Sequence, residues 1–267
     1  MPNPVPRFTM KEILLANDLA VLQWNGFDYV SGKKGTSDYE VLAAFSDELG
    51  KALPNGVLMP HFPQSDIDNL IKVCRLKTVL LRKSELDYGQ MMAFLQRNYP
   101  PYYSSALTKK FAGPSLQSTN RFLINASASV VNQSLLKSKG HRVSLMSRML
   151  FFAAPECLIF NFSHPLAIES LGFPLPAQFG YRQFSAEMLR GIRKNWRYLK
   201  DLNIPLDVNG QKLQDIVGIY DTHWWARRVL DIALLIHFKI FKPTRKIKSL
   251  LRQCDYTIQS AATCQRP

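Results

Sequence analysis

The 267-residue chain predicts a mainly α-helical protein, and three observations carry that prediction. Apolar residues recur with the 3.6-residue helical period far more often than they alternate. Hydrophobic residues make up 46% of the chain and aromatic residues 11%, which supplies a core and excludes global disorder. Only two short stretches, residues 28–31 and 158–160, read as strands, and no repeat or low-complexity tract interrupts the pattern.

Taken in order, residues 1–8 hold three prolines and read as an extended arm. Residues 11–23 fit a short helix. Residues 32–36, GKKGT, form a flexible basic turn, and 38–49 read as helix. Three prolines and one glycine make 54–63 a loop. From Ser65 the periodicity is plain: Ser65 or Asp66 can cap a helix carrying Ile67, Leu70, Ile71, Val73, Cys74 and Leu76. Residues 86–95 make another helix, stopped by Tyr99-Pro100-Pro101, and 119–136 a third. Helices over 144–154, 185–199 and 222–238 follow. The chain thus divides into an irregular N-terminal extension packed on the core (1–64), a helical core (65–238) and a basic C-terminal tail (239–267). The first segment is too small and loop-rich for a core of its own.

Lys and Arg number 34 against 20 Asp and Glu, a formal charge of +14. Such an excess points to a polyanionic partner, because each cation set against a phosphate releases a condensed counterion. The four cysteines (Cys74, Cys157, Cys254, Cys264) show no C-x-x-C spacing, and the five histidines are scattered. No metal and no cofactor are therefore expected, and the cysteines read as free thiols of a reducing compartment. The N-terminus lacks the charged and apolar regions of a signal peptide, and no apolar run is long enough to span a bilayer. The expectation is a cytoplasmic monomer without a membrane partner.

The most informative stretch is "GHRVSLMSRMLFFAAPECLIFNFSHP", residues 140–165. Lys137, Lys139, His141 and Arg142 crowd around Gly140, just before an amphipathic helix whose apolar face is Leu145, Met146, Met149, Leu150, Phe152 and Ala153. A turn feeding a helix N-terminus directs N–H groups and positive dipole at an anion, which suits a phosphate. A solvated basic loop before a core helix has the same appearance.

The succession of basic turn, apolar helix, proline, short apolar run and polar residue resembles the helix–hairpin–helix DNA glycosylases, and within them the 8-oxoguanine-glycosylase-like branch. The likeness is good over residues 137–171 and weaker over 65–136 and 185–238. Bacterial proteins of this fold look most similar, some of which act in phage defence by excising modified bases. The resemblance implies a helix–hairpin–helix glycosylase-like fold. It also implies a double-stranded DNA substrate carrying a modified base, and a site facing a flipped nucleotide. On it, Arg142 takes the position of the family's lysine and Asn161, nineteen residues on, that of its aspartate. Gly140 stands alone where the family has paired glycines.

Those replacements shape the expected chemistry. A guanidinium forms no Schiff base at neutral pH, so the enzyme would be monofunctional. An asparagine supplies no carboxylate to steady an oxocarbenium-like sugar or polarise a water. Either the register differs and Glu156 or Glu169 is the acid, or one of Asp201, Asp207, Asp215 and Asp221 enters the site, or the protein binds DNA without cleaving it. Base extrusion needs side chains to hold the base and fill the gap. Phe160, Phe162, His164 and Trp224 are the candidates, with ordinary core packing the competing role for the aromatics.

Two further cationic stretches support nucleic acid. Arg190, Arg193, Lys194 and Arg197 share one helical face by the i, i+3, i+4, i+7 rule and would track a DNA backbone, with Trp196 as wedge or core anchor. Residues 239–252, "KIFKPTRKIKSLLR", hold six basic residues and no acid, and read as an electrostatic arm outside the core. RNA binding or attachment to an anionic membrane surface is a weaker alternative.

Overall fold

A computed structural model describes residues 3–44, 147, 151–152, 160–161, 165–173, 181–202 and 221–253. Of these, 67% are helical and none lies in a strand, so the class is mainly α. The expected helices from Ser65, at 86–95 and at 119–136, and the cationic turn at 137–142, fall outside the described residues. Residues 28–31, read as a strand, instead belong to a tight turn closed by one antiparallel bridge between Phe27 and Lys34.

Helix α1, Met10–Trp24, starts at a reciprocal cap: the Glu12 N–H donates to the Thr9 hydroxyl (3.2 Å) and the Thr9 N–H to the Glu12 carboxylate (2.7 Å). That pairing satisfies two of the donors a helix start leaves open. From Leu19 to Trp24 every residue is buried, so the second half of α1 has no solvent face and runs through the protein's middle. Its partner is α4, Asp221–His237, along which it packs. Every residue of α4 from Trp224 to Leu235 is buried.

Helix α3, Tyr181–Leu199, packs on both. Short α2, Pro165–Ser170, places proline in its first turn, where the missing N–H costs nothing. The N-terminal arm lies along α3. Val5 and Phe8 are buried, the Phe8 N–H donates to Asn195 Oδ1 (2.9 Å), and Asn195 Nδ2 donates to the Pro6 carbonyl (3.1 Å).

Gly191 lets the arm approach. A Cβ there would lie 2.5 Å from Val5 Cγ1 and 2.9 Å from Val5 Cβ. Alanine ordinarily favours a helix interior over glycine by about 1 kcal/mol, but here overpacking against a branched side chain dominates. Gly191→Ala is expected to destabilise the fold by roughly 1–3 kcal/mol, and Val5→Ala in the same chain to recover part of the loss, read by urea unfolding.

The expected arm at 239–252 is different in the structure. Lys239, at φ 57°, turns the chain out of α4, and residues 245–253 form a further helix. Ile247 is fully buried, with Leu250 and Leu251 packed against the core. The apolar positions between the cations, rather than the cations, decide where this segment sits.

Glu12 also receives His237 from the end of α4 (Nδ1 to Oε1, 3.0 Å). Burial works to raise the Glu12 carboxyl, but hydrogen bonds from Thr9 and the His237 contact outweigh it and hold it below its ordinary 4.5. The unfolded chain therefore binds the proton more readily, so this stabilisation is present above pH 4.5 and is lost as pH falls through the lowered folded-state value. Glu12→Gln is expected to flatten the acid limb of a thermal-melting profile while altering the neutral plateau less.

Candidate functional site

Four polar side chains meet where α4 packs against residues 38–44 and 160–161. Arg228 on α4 is 7% exposed and donates from Nε to Asp38 Oδ2 (2.7 Å) and from a terminal nitrogen to Asp38 Oδ1 (3.3 Å). Asp38 opens the helical residues 38–44, behind a second reciprocal cap between Ser37 and Glu40 (2.8 and 3.0 Å). One turn beyond Arg228, Asp231 Oδ2 lies 3.7 Å from the guanidinium and receives Asn161 Nδ2 at 3.4 Å. Burial works to lower the Arg228 guanidinium; Asp38 first, then Tyr29 and Asp231, outweigh it and hold it above its usual range. Arg227 is also buried, donating from Nε to the His223 carbonyl (3.2 Å) with its guanidinium 5.5 Å from the Phe151 ring.

Asn161 reaches this network because α3 grips the preceding residue. The Phe160 N–H donates to the Tyr181 hydroxyl (2.9 Å), which donates to the Phe160 carbonyl (2.7 Å). Burial pushes the Tyr181 phenol well above its ordinary value, so it stays a neutral donor. The Asn161 amide nitrogen faces the carboxylate, and its buried Oδ1 has no hydrogen-bond partner. A buried acceptor left open is uncommon, and it offers a place for a donor from water or a ligand. Tyr181→Phe strands the Phe160 N–H and carbonyl in the core. It is expected to cost about 1–3 kcal/mol of stability, measured by denaturant titration.

The structure sorts the candidates. Asn161 stands beside a carboxylate. Phe160 and Trp224, candidate pocket linings, are core side chains at 1% and 0% exposure. The Trp224 indole N–H donates to the Phe151 carbonyl (2.9 Å) and its ring lies 5.0 Å from that of Phe151, which leaves no face for a base. Neighbouring helical residues diverge by 100°, so only one of Trp224 and Trp225 is expected centrally, yet both are buried. Helix α4 is covered on several sides at once: Trp224 meets Phe151 and Phe152, and Trp225 donates to Asn17 Oδ1 of α1 (2.8 Å).

Arg190, Arg193, Lys194 and Arg197 do share an exposed face of α3. Arg190 pairs with Glu187, Lys194 Nζ donates to the Val5 carbonyl (3.0 Å), and the Arg197 guanidinium covers the Tyr198 ring at 4.4 Å. Trp196 stacks on His223 (5.5 Å, 18°) and is partly buried, so it anchors the helix. Lys137, Lys139, Gly140, His141, Arg142, Phe162 and His164 lie outside the described residues, as do Glu156, Asp207, Asp215 and the Asp221 side chain. Glu169 is exposed, and the Asp201 side chain is 74% exposed.

Asp231 is the carboxylate that sequence reasoning missed. Its signal was an acid inside the apolar run "RRVLDIALL", three residues after Arg228. Asp38 gave none, because an aspartate opening a helix is ordinary. Chemically, the cluster offers a guanidinium-steadied buried carboxylate beside a partly buried amide with an open acceptor. Among the described residues no three His, Cys, Asp or Glu converge as a metal site, and no helix is long and apolar enough to cross a membrane. No family model, curated protein or solved structure matches the chain.

Proposed function

We propose that the chain is a monofunctional DNA N-glycosylase that everts a modified base from duplex DNA and hydrolyses its glycosidic bond. The observation that carries this reading is the contact of Asn161 with Asp231: where the glycosylase-like stretch ends in an amide, a second helix brings the acid. Asp231 then supplies the negative charge that steadies an oxocarbenium-like sugar, and Asn161 Oδ1 accepts from the attacking water. The water oxygen bonds C1′ as the C1′–N bond breaks, and its proton leaves through Asp231 to the released base. Arg142 clamps a phosphate or the departing base, while the α3 cations hold the backbone. In keeping with the resemblance at residues 137–171, the role we assign is removal of modified bases from invading phage DNA.

The test is an abasic-site assay on the full chain, across duplexes with damaged bases and phage DNAs with natural and hypermodified bases. Alkali-labile abasic sites on at least one substrate are expected. Unbroken strands on all of them, with DNA binding intact, reject the enzyme.

A second reading is a silent DNA-binding protein that keeps the scaffold. The burial of Phe160 and Trp224 and the hold of Arg228 on Asp231 favour it. It predicts salt-sensitive DNA affinity without base release, and gain of release in Asn161→Asp. If Asn161→Asp instead abolishes an existing activity, this reading fails.

A further inference from the structure

We propose that the turn at 31–35 and the C-terminal segment 239–253 form one composite cationic strip that holds the phosphate backbone of DNA, in addition to the α3 face. The two pieces are over two hundred residues apart in sequence, and the fold joins them. Gly32, at φ +64°, sits so close that a Cβ would lie 3.1 Å from Lys246 Cδ and 3.2 Å from Ile247 Cδ1. Tyr29 meets Phe241 edge-on at 5.5 Å. This seating sets Lys33 and Lys34 beside the helix that carries Arg245, Lys246 and Lys248, with Lys242 on the approach, and all six are exposed.

The strip is cationic throughout. Residues 239–253 contain no acid. The acid in the turn, Asp28, is engaged by the turn itself, accepting from the N–H groups of Val30 (3.1 Å) and Ser31 (3.2 Å) and from the Ser31 hydroxyl (2.6 Å). Among the described residues none of the six cations is in an ion pair. Self-repulsion of this kind is relieved by a polyanion, and each phosphate contact returns counterions to solution.

The burial pattern selects nucleic acid over a lipid surface. A helix that lies in a membrane interface needs an outward apolar face beside its cations. Here Ile247 is fully buried, and Leu250 and Leu251 pack on the core. The exposed large apolar side chain of this region is Val30, and one valine anchors little. The choice of duplex DNA over RNA rests on the glycosylase reading above.

The experiment measures the salt dependence of binding to a fluorescent 20-bp duplex. It compares the full chain with K33Q/K34Q/K242Q/K246Q, with the matching four-arginine variant, and with R193Q/R197Q on α3. Each lost phosphate contact reduces the slope of log Kobs against log[salt] by about 0.9. The glutamine variant is expected to lose about 2–4 from that slope and roughly 10–100-fold in affinity at physiological salt. The arginine variant should stay near the parent, and circular dichroism should be unchanged in both. An unaltered slope in the folded glutamine variant overturns the strip and leaves the glycosylase reading standing. A reduced slope with no base released from any substrate supports the strip and rejects the enzyme. Tighter binding of single-stranded RNA or phosphatidylserine vesicles than of duplex, abolished by the same four changes, overturns DNA as the occupant.

Discussion

Asp38→Ala is expected to lower the free energy of unfolding by about 3–5 kcal/mol, the cost typical of leaving a buried charge without its partner. The Arg228 side chain is 7% exposed and that of Asp38 not exposed at all, and two hydrogen bonds join them. Truncation leaves the guanidinium with Asp231 at 3.7 Å, too long for a good hydrogen bond, and opens a void at the start of residues 38–44. An exposed pair would cost about 0–1 kcal/mol, so urea unfolding separates the two cases cleanly. A midpoint shift equivalent to less than 1 kcal/mol would show that the pair is not an internal strut. Asp38→Ala with Arg228→Met removes both charges and is expected to recover much of the loss, because replacing a whole buried pair by apolar groups is often nearly neutral.

The largest expected effect on activity belongs to Asp231→Asn. The change keeps the shape of the side chain and removes its charge, so under the proposed hydrolysis base release should fall about 10²–10⁴-fold, the range of a lost acid–base group. Duplex affinity should hold, since the cations of α3 are untouched. Asp231 also neighbours Arg228, and some stability is lost as well. A purely structural aspartate would lose stability and DNA affinity together; a participating one loses turnover while affinity persists. Single-turnover rates measured beside binding isotherms decide between them.

Much of the helical frame was legible because amphipathic periodicity is local. Residues 11–23, 185–199 and 222–238 were readable as helices, and the structure places them at Met10–Trp24, Tyr181–Leu199 and Asp221–His237. The four-residue shortfall at Tyr181 reflects a side chain that earns its place through Phe160 rather than by pattern. The cationic face of α3 was legible for the same local reason: i, i+3 and i+4 neighbours are set by helix geometry alone.

Charge, composition and helical repeat are properties of short stretches, and they were enough to establish a mainly α chain with an outward basic helix; Asn161 was singled out by the family resemblance at residues 137–171. Which residues Asn161 meets depends on contacts between segments far apart, 70 residues in the case of Asp231 and 190 between Asp38 and Arg228. Hydrophobic burial is non-directional, so no local pattern could tell that both tryptophans at 224–225 go inside, or that Ile247 carries a basic segment onto the core. Those outcomes arise when α1, α3 and α4 pack together and the remaining apolar side chains take the spaces left between them.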